Sequence, residues 1–208
     1  MKSKVIHTIN SYDQFSSEYF ERSQKLFRPD DIEKFLSLLK PISLILDAGC
    51  AFGRDSKALI KGGHKVIGID LSKKLLEIAK EYEPKLETML MDIREINFPN
   101  NYFDAIWCSA ALHHIEHDEA KEAIAKFYSI LKTEGICYLI TRRGVGEEII
   151  EDKNIKGFSR YFSYFLEEEL VDFVIKLGFT VLEKHIYNEH KQFHTGNDVD
   201  YIVIFAKK

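Results

Sequence analysis

The chain has 208 residues, 45% of them hydrophobic, enough to bury one core without a second domain. With 29 Lys and Arg against 33 Asp and Glu, its net charge of −4 gives no basic footprint for nucleic acid. Cys50, Cys108 and Cys137 lie in or beside apolar runs and form no CxxC, no stretch approaches the ~20 apolar residues of a membrane span, and Met1-Lys-Ser-Lys-Val has no apolar signal core; a cytoplasmic protein with reduced thiols is expected.

In chain order, residues 16–40 have a helical pattern interrupted at Pro29 and stopped by Pro41. A strand over 43–47 follows, then a Gly-rich turn and a helix over 54–61 closed by Gly62 and Gly63. Residues 65–70 read as a second strand, and Ser72 as the N-cap of a helix reaching 82. Strands are expected at 86–91 and 103–109, an amphipathic helix at 118–131, and a fifth strand at 136–141. Residues 144–157 have neither periodicity nor turn density and read as an insertion over an active site. A helix over 167–177 closed by Gly178 and a final strand pair, 180–185 and 201–206, joined by a polar loop, complete the pattern. Strands alternating with helices indicate a doubly wound α/β sheet with helices on both faces.

The densest signal is Leu44-Ile-Leu-Asp-Ala-Gly-Cys-Ala-Phe-Gly-Arg-Asp-Ser56. A strand, a turn through Gly49 and Gly53, and a helix N-terminus let backbone approach a nucleotide-like ligand closely. The strand Val66-Ile-Gly-Ile-Asp70 ends in an acid about 20 residues on, the spacing of a ribose-hydroxyl acceptor. An adenosine-type cofactor is implied. A GxGxxG fingerprint from Gly49 would need glycine where Ala51 and Arg54 stand, and no GxxxxGK[ST] occurs, so dinucleotide and P-loop readings fail. Asp47 would repel a pyrophosphate and suits a ligand with positive charge.

These residues resemble the class I S-adenosylmethionine-dependent methyltransferases. Asp47-Ala48-Gly49-Cys50-Ala51-Phe-Gly53 is similar to their first motif, D/E-x-G-x-G-x-G, with Ala51 in place of the middle glycine. Gly-Ile-Asp70-Leu71-Ser72 resembles the second motif, Met91-Asp92-Ile93 the third, and Phe103-Asp104-Ala-Ile-Trp-Cys-Ser109 the fourth. The resemblance implies a mostly parallel seven-stranded sheet whose last strand is antiparallel, with S-adenosylmethionine as cofactor and S-adenosylhomocysteine as product. It sets Gly49 to Gly53 against the methionine part and Asp70 on both ribose hydroxyls. Asp92 and Ile93 would meet the adenine, Asp47 the ammonium and sulfonium, and Ser109 and Ala110 the methyl end. Residues 1–41 would form a helical lid on a methyltransferase domain over 42–208, with a substrate-covering insertion at about 143–165.

Methyl transfer needs alignment of donor and acceptor, and a base only where the acceptor must lose a proton. Candidates for that base are His113 and His114, which could equally shape the pocket. Tyr12 and Tyr19 fit a lid. Arg142 or Arg143 could hold an anionic substrate group or pair with nearby acids, and Tyr161 sits in the aromatic stretch expected to cover the acceptor. No metal is expected: His113, His114 and His117 lack a spaced carboxylate, and His185, His190 and His194 fall near a polar loop. The reading is a methyltransferase for a small-molecule acceptor. RNA or protein methylation on the same fold, or a non-catalytic cofactor-binding module, are the alternatives.

Overall fold

The computed structural model describes residues 3–208. Of the expected lid segment, Met1 and Lys2 therefore lie outside the described residues. Three helices come first: α1 (Ser3–Gln14), α2 (Ser16–Ser23) and α3 (Pro29–Ser37). The central elements are β1 (Leu44–Ala48), α4 (Arg54–Lys61), β2 (Lys65–Asp70), α5 (Lys73–Tyr82), β3 (Glu87–Leu90) and β4 (Phe103–Ser109). After a short 3-10 turn at Leu112–His114 come α6 (His117–Ile130), β5 (Leu131–Arg142), β6 (Glu147–Glu151) and β7 (Ser159–Ser163). The chain ends with α7 (Glu167–Lys176), β8 (Thr180–Asn188), α8 (Glu189–Phe193) and β9 (Asp200–Lys207).

Seven strands form one sheet in the order β3-β2-β1-β4-β5-β9-β8. The pairs from β3 to β5 are parallel, and β9 runs antiparallel between β5 and β8, as the resemblance implies. Parallel strands covered on both faces read as near-continuous apolar runs. Accordingly Ile45, Leu46, Ala105, Ile106 and Ile69 are fully buried. One core cluster joins Leu46, Ile106 and Phe127; the other joins Ile45, Trp107 and Tyr138 on the opposite face. There Trp107 stacks on Tyr138 with ring centroids 3.8 Å apart and planes 6° off parallel.

Strands β2 and β4 and helices α4 and α5 begin and end where the sequence pattern places them. Ser72 caps α5 by accepting the Leu75 N–H at 3.1 Å. Three expectations change. Residues 3–14 form a further helix, since the polar run still places Val5, Thr8 and Ser11 on one buried stripe. The insertion is not irregular: β6 and β7 pair as a two-stranded hairpin. The link between β8 and β9 contains α8, capped by Asn188 through the Lys191 N–H. Among the described residues no helix is long and apolar enough to cross a membrane, and no cluster of three or more His, Cys, Asp or Glu is placed to hold a metal.

Candidate active site

The turn after β1 is held open by left-handed backbone. Gly49, Ala51 and Gly53 have φ of 83°, 49° and 79°. The amides of Gly49 and Cys50 both donate to the Ile69 carbonyl, at 2.8 and 3.0 Å, tying the turn to the end of β2. Gly49 is required twice over. Its φ favours glycine, and a Cβ there would stand 2.4 Å from the Ala111 Cβ. Ala51 adopts αL with its side chain, a strain of roughly 1–2 kcal/mol for an L-residue. The neighbouring acid offsets it, because the Ala51 N–H donates to Asp70 Oδ2 at 2.9 Å.

Asp70 Oδ1 accepts from the Ser72 N–H at 2.8 Å. A carboxylate offers about four acceptor positions, and the N–H groups of Ala51, Ser72 and Leu71 leave part of that capacity open. Burial, resisted by those backbone N–H groups, pushes the Asp70 carboxyl above its usual range. Asp92 is more fully engaged. Arg94 donates from its backbone N–H and Nε to Oδ1, both at 2.9 Å, and from Nε and Nη2 to Oδ2. Arg94 also spans to Glu119 at 3.2 Å, so the acid that begins this turn is clamped to α6.

Asp47 lies beneath the turn, 2% exposed, with Ser56 Oγ donating to it at 2.5 Å. Burial, reinforced by nearby Asp55, pushes its carboxyl up to about 8. It lines a small recess with Cys50, Phe52 and Arg54, next to the main cleft. Asp55 differs from it although it is also buried. Arg54 at 2.7 Å and the Trp107 indole N–H at 3.0 Å outweigh its burial and hold it down to about 2.

The main cleft measures about 1280 Å³ counted out to its solvent-open mouth. At one end lie Gly49, Ala51, Asp70, Leu71, Asp92 and Ile93; Ser109, Ala110 and His113 lie toward the middle. Ala48, Cys50 and Gly53 do not reach this cleft. They shape the turn from behind.

Tyr12 and Tyr19 roof the cleft, edge to face at 4.9 Å. His114 Nδ1 lies 2.8 Å from the Tyr161 carbonyl and must carry the proton there. Its Nε2 is then the acceptor of the Tyr12 hydroxyl at 3.0 Å. Burial, then the Arg160 charge, lowers His114 to about 3, so it stays neutral. Both of its nitrogens are committed. His113 is 3% exposed, and its Nδ1 has no hydrogen-bond partner. Burial, with His114, Arg142 and Arg160, pushes it well below the usual imidazole value.

Arg142 ends β5 and Arg143 follows it; Arg143 pairs with Asp200 at 3.3 Å and stays outside the cleft. Arg142 lines the cleft, with its guanidinium 3.6 Å from the Phe162 ring centroid. Tyr161 does not line it. Side chains alternate along a strand, so in β7 Arg160 and Phe162 face the cleft while the Tyr161 hydroxyl turns to Glu147. Sequence reasoning thus selected the wrong member of an alternating run, and period two over Phe158 to Phe162 was the missed signal. It also missed Arg28, which donates to Ser109 Oγ at 2.7 Å and to Asp31 at 3.0 Å. Nothing local marks that position, since it enters the cleft from the bend before α3.

With the site in view, its relatives are informative. The pattern of the methyltransferase domain family matches residues 45–135. An uncharacterized methyltransferase of Oceanobacillus iheyensis is 31% identical over 209 residues, covering 95% of this chain and 84% of the other. The ubiquinone biosynthesis O-methyltransferase of Coxiella burnetii is 25% identical over 221 residues, covering 91% and 94%. Among solved structures, the 1,6-didemethyltoxoflavin-N1-methyltransferase of Burkholderia thailandensis, with bound 1,6-didemethyltoxoflavin and S-adenosylhomocysteine, superposes with a TM-score of 0.74. It is 20% identical and covers 98% of this chain and 87% of that one. The chain belongs to the class I methyltransferases and is an enzyme that uses S-adenosylmethionine.

Proposed function

We propose that the enzyme methylates a small molecule enclosed in the cleft. The observation that carries this is the roof. Helices α1 and α2 are tied to the β6–β7 hairpin by His7 to Ser159 at 2.8 Å, by Arg22 to Asp152, and by Ser11 Oγ accepting the Ser159 N–H at 3.1 Å. A macromolecular acceptor needs an open groove, and here residues 3–23 with the hairpin over 147–163 act as a lid. Two relatives named for small-molecule methylation support the same reading.

The residues present fit the cofactor. Asp70 has acceptor capacity left for ribose hydroxyls. The left-handed turn from Gly49 to Gly53 clears space for the methionine part, and Leu71 and Ile93 offer apolar faces to the adenine. Asp92, with its acceptor positions taken by Arg94, holds the Met91–Ile93 backbone in place and leaves the adenine to main-chain groups. Asp47 sits behind the turn, protonated in the free protein, and a bound ammonium would favour its ionised form. Ser109 and Ala110 border the methyl end. Bound there, S-adenosylmethionine supplies a methyl group already activated by its sulfonium.

The chain's own contribution is alignment and exclusion of water. Tyr12 and Tyr19 close the roof, and Tyr12 fixes the His114 ring. His114 positions the hairpin through the Tyr161 carbonyl and has no nitrogen left for proton transfer. His113 is the remaining imidazole beside the acceptor space, and burial makes it a weak base. It serves an acceptor that arrives ionised or loses its proton easily.

The test is transfer from radiolabelled S-adenosylmethionine into lysate separated into small molecules, RNA and protein. Label in the small-molecule fraction is the expected result. Label confined to RNA or protein would contradict this reading.

A further inference from the structure

The charges around the acceptor half of the cleft define what it can hold, provided the cleft takes a small acceptor as proposed above. Arg22, Arg28, Arg54, Arg142 and Arg160 all line the cleft as a whole. Arg22 and Arg160 share Asp152, Arg28 pairs with Asp31 and Arg54 with Asp55. Arg142 stands apart. It is 8% exposed and its Nε has no hydrogen-bond partner. Among the described residues no carboxylate oxygen lies within 4.0 Å of its guanidinium. Glu189 is the acid lining this half, and its oxygens are taken by Thr195, Asn197 and Tyr201 at 3.0, 2.9 and 3.1 Å.

An arginine cannot shed its charge, and a buried charge without a partner is strongly unfavourable. The counter-ion is therefore missing from the protein itself. The surroundings describe its shape. Arg142 is stacked on Phe162 with the neutral hydroxyls of Tyr164 and Tyr201 beside its guanidinium, so its planar fork still lacks an anionic partner. Tyr187 and Tyr201, both lining the cleft, stack with centroids 4.9 Å apart and planes 9° off parallel. The unpartnered Nδ1 of His113 lies on a ring 5.3 Å from Phe162. A forked cation among flat apolar faces suits a flat anion.

We propose that the methyl acceptor is a planar carboxylate anion, its carboxylate held by the Arg142 fork and its ring set among Phe162, Tyr187 and Tyr201. The positive field of Arg142 and Arg160, which helps keep His113 and His114 neutral, favours negative charge on the ligand.

Calorimetric titration of the full chain tests this with benzoate and its neutral isostere benzamide. S-Adenosylhomocysteine is titrated first, and the probes are then added to the saturated complex. Benzoate should bind at least about tenfold more tightly than benzamide. Arg142→Gln should erase that preference while changing S-adenosylhomocysteine affinity less than about twofold, and Arg142→Lys should keep part of it. Equal affinities, no binding of benzoate, or a preference that survives Arg142→Gln overturns the proposal. The comparison of the two probes on the unaltered chain holds even if a variant fails to fold. Failure of S-adenosylhomocysteine to bind would instead remove the cofactor reading of the cleft, and the acceptor proposal with it.

Discussion

The Tyr12 hydroxyl donates to His114 Nε2 at 3.0 Å across 102 positions of chain, joining the first helix to the segment that leaves β4. Arg160 reaches the same hydroxyl at 3.3 Å. One phenol thus links lid, hairpin and sheet. Tyr12→Phe should leave a buried imidazole nitrogen unpaired, at a cost of about 1–3 kcal/mol. The expected outcome is a melting temperature lower by a few degrees, with faster proteolytic cleavage in residues 3–23. An unchanged melting curve and cleavage rate would show that the roof is held elsewhere.

The turn after β1 gives a paired test. Gly49→Ala would push a Cβ into Ala111 at a φ that alanine avoids. It should cost about 2 kcal/mol or more and weaken S-adenosylhomocysteine binding. Ala51→Gly should act in the opposite sense, relieving αL strain of about 1–2 kcal/mol but restoring about 0.5–1 kcal/mol of unfolded-chain entropy. A net gain under about 1 kcal/mol is expected in denaturant unfolding. Destabilisation by Ala51→Gly would mean that the methyl group packs productively.

Asp47 sets the pH dependence of the free protein. Its folded value, about 8, lies above the ordinary 3.8, so the folded state holds the proton that the unfolded state has lost between those limits. Stability from this group is present at low pH and falls as pH rises through that window. The slope is at most about 1.4 kcal/mol per pH unit. Denaturant unfolding from pH 5 to 8 should show the decline, levelling off above about 8, and Asp47→Asn should flatten it. An equal slope in the variant would assign the effect to other groups.

The succession of strands and helices was legible in the sequence, and Gly49, Ala51, Asp70 and Asp92, singled out there, line one cleft, because local chemistry determines them. Leu44 to Ser56 combines an apolar run, positive-φ turn residues and a helix start within 13 residues, and Asp70 follows at a distance fixed by one helix and one strand. The acceptor end was only partly legible. Tyr12 and Tyr19 line the cleft, whereas Tyr161 turns to Glu147 because side chains alternate along residues 159–163. Arg28 and Glu189 come from a bend and from the first residue of α8, and converge on the cleft through long-range packing that no local spacing encodes. The pairing of Asp92 with Arg94 is local, two residues apart, and Glu119 of α6 adds the long-range contact to the same guanidinium. Arg142 and Arg143 are adjacent in sequence, and the strand's two faces alone separate a cleft residue from a surface ion pair.

The most direct test of the account is calorimetric titration of S-adenosylhomocysteine into the unaltered chain and into Asp70→Ala. Loss of a charged acceptor for two hydroxyls should weaken binding by at least about tenfold, from a contribution of roughly 1.5–3 kcal/mol. One-to-one binding to the unaltered chain, with that loss in the variant, is the expected result. Equal affinity in the two proteins would contradict the assignment of Asp70 and, with it, the placement of the cofactor in this cleft.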